Sequence, residues 1–204
     1  MSNRNNLFLQ FSKMFYSFLF SQKEENPYAD IDEWNISPSE LCAGEILNIE
    51  GKTIPEENIG MNVSFSVSSP VVNGIYKYTF DNVRIPGGSN SFRVRSQKVD
   101  DLNFIVRMFV DFKRSFDAEN GVAEFFEKNI PAGNYEIIIE GNALDGEKEV
   151  KLDFIASQTI RADEKGNFNY QYHTGSLPDG DFIVMIGDNE KTIKLMPSPR
   201  DNNE

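Results

Sequence analysis

Short runs in which apolar and polar residues alternate occupy most of the chain from residue 36 onward. Clear examples lie at 46–50, 63–67, 75–80 and 135–139, and Gly, Pro, Asn and Asp separate such runs. Period-two alternation of β-branched and aromatic residues is typical of half-buried strands. Turn signals about every ten residues favour a sandwich or a barrel. The pattern therefore predicts an all-β fold.

Residues 102–116 carry two competing patterns. Alternation across 104–112 fits a strand, whereas Leu102, Phe109 and Phe116 fall on one stripe of a helix. The strand-rich neighbours on both sides favour the strand, and we predict one here.

The first 34 residues have a different character. Residues 7–20 read LFLQFSKMFYSFLF, with apolar positions at helical spacing, and this predicts a short amphipathic helix. It is shorter than the roughly 20 residues that cross a bilayer. Export or membrane targeting, docking on a protein and an inert tail all remain open for it. Residues 22–33, rich in charge, are predicted to be a solvated linker.

A repeated unit is the strongest feature of the chain. An alternating aromatic run that starts with Gly is followed by an apolar residue, Pro and then Gly, and a new alternating run comes next. The prolines of the three units are Pro86, Pro131 and Pro178, and the associated glycines are Gly88, Gly133 and Gly180. Proline fixes φ and glycine accepts positive φ, so each unit predicts strand, connection and strand. The connections are expected to be antiparallel hairpins or crossovers between sheets.

Charge and cysteine count exclude several classes of protein. With 20 Lys and Arg against 32 Asp and Glu, the net charge is -12, which argues against nucleic-acid binding. The single cysteine, Cys42, forms no intrachain disulfide, so stability must come from burial. Aromatic residues make up 12% of the chain and supply enough apolar surface for an ordered core.

Candidate chemistry is sparse. The one histidine, His173, and Cys42 form the only conceivable nucleophilic pair, and their contexts suit packing better than catalysis. We predict no catalytic, cofactor-binding or metal site residues and no enzymatic activity. Calcium is the most plausible ion, because the turns at 145–147, 163–167 and 179–181 supply oxygen ligands, although turns need such residues anyway. Trp34 could offer a sugar platform, but we expect it to close the end of a core.

The segments 36–45 (ISPSELCAGE) and 46–51 (ILNIEG) resemble the opening strands of prokaryotic immunoglobulin-like β-sandwich surface proteins. The segments 162–170 (ADEKGNFNY) and 177–184 (LPDGDFIV) are similar to the closing strands of the same modules. With Asn134–Tyr135 and 141–143 between them, the combination looks most like envelope proteins of methanogenic archaea. The resemblance implies an extracellular or cell-surface module used for adhesion or envelope structure.

The predicted architecture is all-β, with tandem immunoglobulin-like β-sandwiches after a short N-terminal amphipathic helix. The predicted segments are an apolar N-terminal segment with an acidic linker, two sandwiches and a polar tail, at 1–34, 35–112, 113–196 and 197–204. The expected function is non-enzymatic, with protein or glycan partners at the cell surface, no nucleic acid, and membrane contact through residues 7–20 left open. A self-assembling filament or sheath subunit and a carbohydrate-binding domain are the alternatives.

Overall fold

The computed structural model describes residues 31, 33–107 and 111–198. These residues form fourteen strands, and their one helix is a single 3₁₀ turn, Thr174–Ser176, so the predicted all-β class is confirmed. The strands are β1 Glu33–Ser37, β2 Glu40–Cys42, β3 Ile46–Lys52, β4 Asn58–Val72, β5 Ile75–Ile85, β6 Asn90–Gln97, β7 Asp101–Arg107, β8 Phe112–Asp117, β9 Val122–Lys128, β10 Gly133–Asn142, β11 Glu149–Arg161, β12 Asn167–His173, β13 Gly180–Ile186 and β14 Asn189–Met196.

Three groups of strands make up the fold. The long sheet has the order β2-β14-β13-β4-β11-β6-β9, in which only the β2–β14 pair is parallel. The first short sheet is β1-β3-β12. The second short sheet is β5-β10-β7-β8, and β5 also joins the end of β4 through a hairpin. Each short sheet shares a core with the long sheet, which gives a sandwich-like arrangement.

Two clusters of buried side chains hold these sheets together. The first core combines residues of the first short sheet, such as Ile49 and Phe168, with residues of the long sheet, such as Phe182. The second core combines residues of the second short sheet, such as Phe104, with residues of the long sheet, such as Phe154. Removing these apolar surfaces from water is the main favourable contribution to folding.

The two cores are nested along the chain. All buried members of the first core lie at 31–61 and 162–195, whereas all buried members of the second core lie at 76–154. The strand pairings do not follow the predicted division at residue 112. β4, before residue 112, pairs with β11, after it, over thirteen residue pairs. β7 and β8 also pair across this position, with Val106 opposite Phe112. The long strands β4 and β11 belong to both halves of the molecule.

The pattern at 102–116 forms strand, as predicted, but as two strands of a hairpin. β7 and β8 pair antiparallel, with Leu102 opposite Phe116. Burial alternates along β7, whereas in β8 only Phe116 is partly buried.

All three proline connections cross between sheets. Residues 86–89 lead from β5 in the second short sheet to β6 in the long sheet, and 129–132 lead from β9 back to β10. Residues 174–179 lead from β12 in the first short sheet to β13 in the long sheet. Of the two geometries left open by the sequence, the structure adopts the crossover each time.

Several predictions concern residues outside the ranges that the structure describes. The amphipathic helix at 7–20, most of the linker and most of the polar tail lie outside the described residues. Within those ranges, β1 begins at Glu33, two residues before the predicted start of the first sandwich. Among residues 31, 33–107 and 111–198, no helix has the length and apolar character needed to cross a membrane.

Candidate functional site

The three proline connections converge on one side of the molecule. The side chain of Asn90 links the first two, since its Nδ2 donates to the carbonyl of Ile130 at 2.9 Å and its Oδ1 accepts from the Ile130 amide at 2.8 Å. The hydroxyl of Tyr172, just before the third connection, donates to the carbonyl of Arg84 at 3.3 Å. The apolar residue before each proline therefore reaches a common region.

A cleft of about 130 Å³ lies in this region, between the two short sheets and against the long sheet. Side chains of β3 and β12 border it on one side, those of β5 and β10 on another, and those of β4, β6, β11, β13 and β14 line its base. The residues that precede the three prolines, Ile85, Ile130 and Leu177, all line it. The repeated motif of the sequence thus forms one edge of a single cleft.

The cleft lining is predominantly apolar and rich in aromatic rings. Six aromatic side chains line it: Phe65, Phe80, Phe92, Tyr170, Tyr172 and Phe182. Phe65 packs against both cores, with its ring centroid 4.9 Å from that of Phe154 and 4.7 Å from that of Phe182. An apolar ligand group in this cleft would therefore contact both halves of the molecule.

The titratable residues of the lining are Arg84, Tyr170 and Tyr172. Burial raises the pKa of Tyr170 to about 12, with a smaller contribution from neighbouring Tyr172, while Arg84 opposes the rise. Burial also raises the pKa of Tyr172, against the opposing effects of a hydrogen bond to Ser176 and of Arg84. Both phenols are therefore protonated at neutral pH and act as neutral hydrogen-bonding groups. No lining residue supplies a carboxylate, imidazole or thiol as a general base or nucleophile.

Gln158 is the most buried polar side chain of the cleft. Only 8% of its surface is exposed, and it lies on the same face of β11 as Phe154 and Ala156. Its Nε2 donates to the carbonyl of Gly87 at 3.1 Å and to that of Thr159 at 3.0 Å. Its Oε1 has no hydrogen-bond partner among the described residues.

This amide orientation is fixed by its neighbours. Turning the amide by 180° would place Oε1 against two carbonyl oxygens, which are acceptors like itself. A buried acceptor without a donor carries a desolvation cost of about 1–3 kcal/mol. Such an orphaned atom is uncommon in folded proteins, and this one is enclosed by protein, with almost no accessible surface.

Cys42 is the last residue of β2 and His173 the last residue of β12, and no hydrogen bond joins their side chains. Thr174 makes the connection instead, because its Oγ1 donates to the carbonyl of Glu45 at 2.8 Å and accepts from the Gly44 amide at 3.2 Å. The His173 ring is engaged locally, with Nδ1 accepting from the Gly175 amide at 3.3 Å. This geometry gives no support to Cys42 and His173 as a nucleophilic pair, and neither residue lines the cleft.

Two of the three turns considered for calcium, at 163–167 and 145–147, have contacts of their own. Asp163 Oδ1 accepts from the amides of Lys165 and Asn167 at 2.8 and 2.7 Å, and these bonds hold the pKa of its carboxyl below the usual range. In the second turn, Glu147 pairs with Lys98 at 2.9 Å. Across the described ranges, no three His, Cys, Asp or Glu residues form a metal-binding group. The expectation that the chain has no metal site, with calcium as the most plausible ion, stays a prediction.

Trp34 takes the structural role expected of it. Its side chain is 6% exposed within the first core, and Lys191 covers the ring with Nζ 4.8 Å from the ring centroid. A sugar platform needs an exposed ring face, so the alternative role for Trp34 has no support here.

Sequence analysis missed the cleft, because its lining residues are scattered from Leu47 to Ile193. One signal was present. Each repeat unit places a large aliphatic residue directly before its proline, at Ile85, Ile130 and Leu177. An exposed connection does not need that residue, and its recurrence indicates a shared apolar surrounding.

Comparison of this chain with protein-family models, with curated proteins and with solved structures finds no significant match. The similarity to immunoglobulin-like surface proteins therefore stays a prediction based on the segments that carry it.

Proposed function

We propose that this protein is a non-enzymatic binding module of the cell surface or extracellular space, and that the cleft between its two short sheets is its ligand site. The finer assignment to tandem immunoglobulin-like sandwiches of an envelope or adhesion protein belongs to the same proposal. It rests on the similarity of 36–51 and 162–184 to such modules.

The observation that carries the proposal is the composition of the cleft. Pockets that bind small molecules are typically concave and apolar with a few polar groups at defined positions. Six aromatic rings line this cleft, and two of them are the neutral phenols of Tyr170 and Tyr172. Its titratable lining residues lack the base and nucleophile that a hydrolytic or transfer reaction needs, and this favours binding over catalysis.

Binding of a simple apolar ring tests the proposal. We expect toluene to bind the full chain with a 1:1 stoichiometry, measured by isothermal titration calorimetry. Ala156 lines the cleft, so Ala156→Leu should fill part of it and weaken toluene binding at least tenfold. Ser68 is exposed on the outward side of β4, and Ser68→Leu is the matched control that should leave binding unchanged.

Melting temperatures of both variants show whether they are folded. Absence of toluene binding to the folded wild-type protein would contradict the assignment of the cleft as a ligand site. Cell fractionation of the native source tests the location separately, and recovery in the soluble interior would contradict surface placement.

A further inference from the structure

Arg84 distinguishes the cleft from a plain apolar pocket, because it is the only charged residue among the described residues of the lining. We propose that the cleft binds a small aromatic monocarboxylate, whose single ring lies against the apolar lining and whose carboxylate pairs with the Arg84 guanidinium at the cleft mouth. This inference rests on the proposed function, because it assigns a ligand class to the same cleft.

The Arg84 guanidinium has no ion-pair or hydrogen-bond partner within the part of the chain that the structure describes. Four other arginines of those ranges each form an ion pair with a carboxylate, namely Arg93, Arg107, Arg114 and Arg161. The chain contains 32 Asp and Glu, so a cleft arginine without such a partner is unusual here. Its charge is available to an anion from solution.

The position of Arg84 also makes that charge accessible. The residue is exposed although it belongs to the lining. A long cationic side chain in such a place covers apolar surface with its stem and keeps its charged group in water. A ligand carboxylate that pairs with it therefore stays at the mouth of the cleft and avoids most of the cost of burying a charge.

The two tyrosines of the lining lie beside Arg84 without neutralising it. The hydroxyl of Tyr172 donates to the Arg84 carbonyl at 3.3 Å, so the two residues are neighbours. Burial raises the pKa of Tyr170 to about 12 and also raises that of Tyr172, and the nearby Arg84 guanidinium opposes both rises. Both phenols stay protonated at neutral pH, and neither pairs with Arg84 as an anion.

The size and lining of the cleft favour one aromatic ring. An apolar cavity of about 150 Å³ in another protein accommodates benzene, and the cleft here is about 130 Å³. Phe65, Phe80 and Phe182 all line it, and the rings of Phe65 and Phe80 already meet edge to face at 6.1 Å between centroids. A ligand ring can extend such contacts, which an aliphatic ring cannot make.

A carboxylate matches Arg84 better than a phosphate does. The guanidinium presents a planar fork of donors that fits the two oxygens of a carboxylate. A phosphate monoester carries roughly two negative charges at neutral pH, and the described lining offers one cation. The net charge of -12 does not exclude a monoanion, because exposed charges more than about 8 Å apart are largely screened at physiological salt.

The test compares phenylacetate with phenylacetamide on the full chain by isothermal titration calorimetry, at neutral pH and physiological salt. The two molecules have nearly the same shape, and only phenylacetate is charged. We expect phenylacetate to bind about tenfold more tightly, as hydrogen bonds to a charged group predict. Equal or weaker binding of phenylacetate overturns the proposal, and toluene binding then still supports an apolar ligand site. Failure of toluene as well contradicts the proposed function itself.

A variant then locates the ion pair. Arg84→Gln removes the charge and keeps the backbone carbonyl that Tyr172 contacts. Phenylacetate should bind about tenfold more weakly to it, whereas toluene binding should change by less than about twofold. Arg114 lies on β8 outside the lining, and Arg114→Gln is the matched control, since it changes the net charge by the same amount. It should leave phenylacetate binding unchanged.

Unchanged phenylacetate binding in Arg84→Gln, or an equal loss in Arg114→Gln, overturns the assignment to Arg84. Melting temperatures show whether both variants are folded, and we expect Arg84→Gln to melt near the wild-type temperature because the residue is exposed. The comparison of phenylacetate with phenylacetamide in the wild-type protein decides the ligand class even if a variant does not fold.

Discussion

The two cores of this protein have similar composition, but their residues are distributed differently along the chain. The second core is built from one continuous stretch, 76–154, and its strands meet through connections of modest length. The first core joins 31–61 to 162–195, so all buried residues of the second core lie between its two parts in the sequence. Closing a longer loop costs more conformational entropy and slows folding. The second core is therefore expected to form first, and the first core to depend on it.

The strands β4 and β11 connect the two cores, because each contributes side chains to both of them. Phe65 of β4 packs against both cores, and Phe154 of β11 stacks on Phe65 from within the second core. We therefore expect a disturbance in one core to affect the other core through these two strands.

The largest expected effect comes from removing a ring at this junction. Phe154 is fully buried, and Phe154→Ala should lower the free energy of unfolding by about 3–5 kcal/mol because it leaves a cavity. Urea unfolding should be followed by far-ultraviolet circular dichroism and by fluorescence of Trp34, which is the only tryptophan and lies in the first core. If the cores are coupled, both signals shift together.

Phe182→Ala is the matched variant in the first core, where Phe182 is 1% exposed. A Trp34 transition that stays at the wild-type midpoint in Phe154→Ala would show that the cores unfold independently, and the comparison above would then be wrong.

The next largest effect is the loss of stability when a glycine beside each core is replaced by alanine. A Cβ on Gly141, beside the second core, would collide with the carbonyl oxygen and carboxylate of Asp101, whereas a Cβ on Gly51 would meet the ring of Phe168 at 2.5 Å. Alanine at either position should cost about 1–3 kcal/mol. We expect Gly141→Ala to cost more, because a backbone oxygen moves less easily than a ring.

Gly87→Ala is the control, since its Cβ would meet only Ala132 at 4.0 Å, and it should change stability by less than about 0.5 kcal/mol. Thermal melts at neutral pH measure all three variants. A larger loss in Gly51→Ala than in Gly141→Ala would reverse the predicted order.

A smaller effect appears only at alkaline pH. Burial raises the pKa of Tyr76, in the second core, and of Tyr170, beside the cleft, each to about 12 from an ordinary value of 10. The folded state then holds its proton more tightly than the unfolded state, so this stabilisation is complete below pH 10 and is lost as the pH rises through 12. At pH 11 the contribution of each tyrosine to the free energy of unfolding is about 1 kcal/mol smaller than it is below pH 10.

Tyr170→Phe cannot ionise and should reduce the decline in stability between pH 9 and 11. Tyrosinate absorbance near 295 nm should show Tyr170 titrating late in the wild-type protein and missing in the variant. An unchanged late titration in Tyr170→Phe would contradict this assignment. Tyr76→Phe is the counterpart in the second core, although it also loses the hydrogen bond to the Asp101 carbonyl at 2.9 Å.

The smallest expected effect is that of calcium. The turn at 163–167 already satisfies Asp163 with backbone amides, so we expect the same melting temperature in excess chelator and in millimolar calcium. A bound ion would raise the melting temperature in a concentration-dependent way. Such a rise would support the calcium prediction and would indicate a site that these contacts do not account for.

The strands could be predicted from local sequence with some success. Alternation at 46–50 and 135–139 predicts β3 and β10, because a period of two places one set of side chains on one face. The proline units predict where strands end, since proline fixes φ and interrupts the ladder. Even at 102–116, the alternation identified strand, although the hairpin within it was missed.

The candidate site could not be predicted in this way. Gln158 reads in the sequence as an ordinary polar residue near the end of a long strand, and nothing local shows that its amide is 8% exposed. The aliphatic residues Ile85, Ile130 and Leu177 before the three prolines indicated a shared apolar surrounding, but they did not show where in the fold it lies.

The sequence by itself determined that most of the chain from residue 36 onward forms strands, and that three proline connections join some of them. Only the tertiary structure decided that those connections cross between sheets, that the two cores are nested, and that a cleft lies between the short sheets. The physical reason is that alternation specifies which side chains turn away from water but not which sheet they meet. That choice depends on contacts between residues as distant as Leu47 and Ile193, both of which line the cleft.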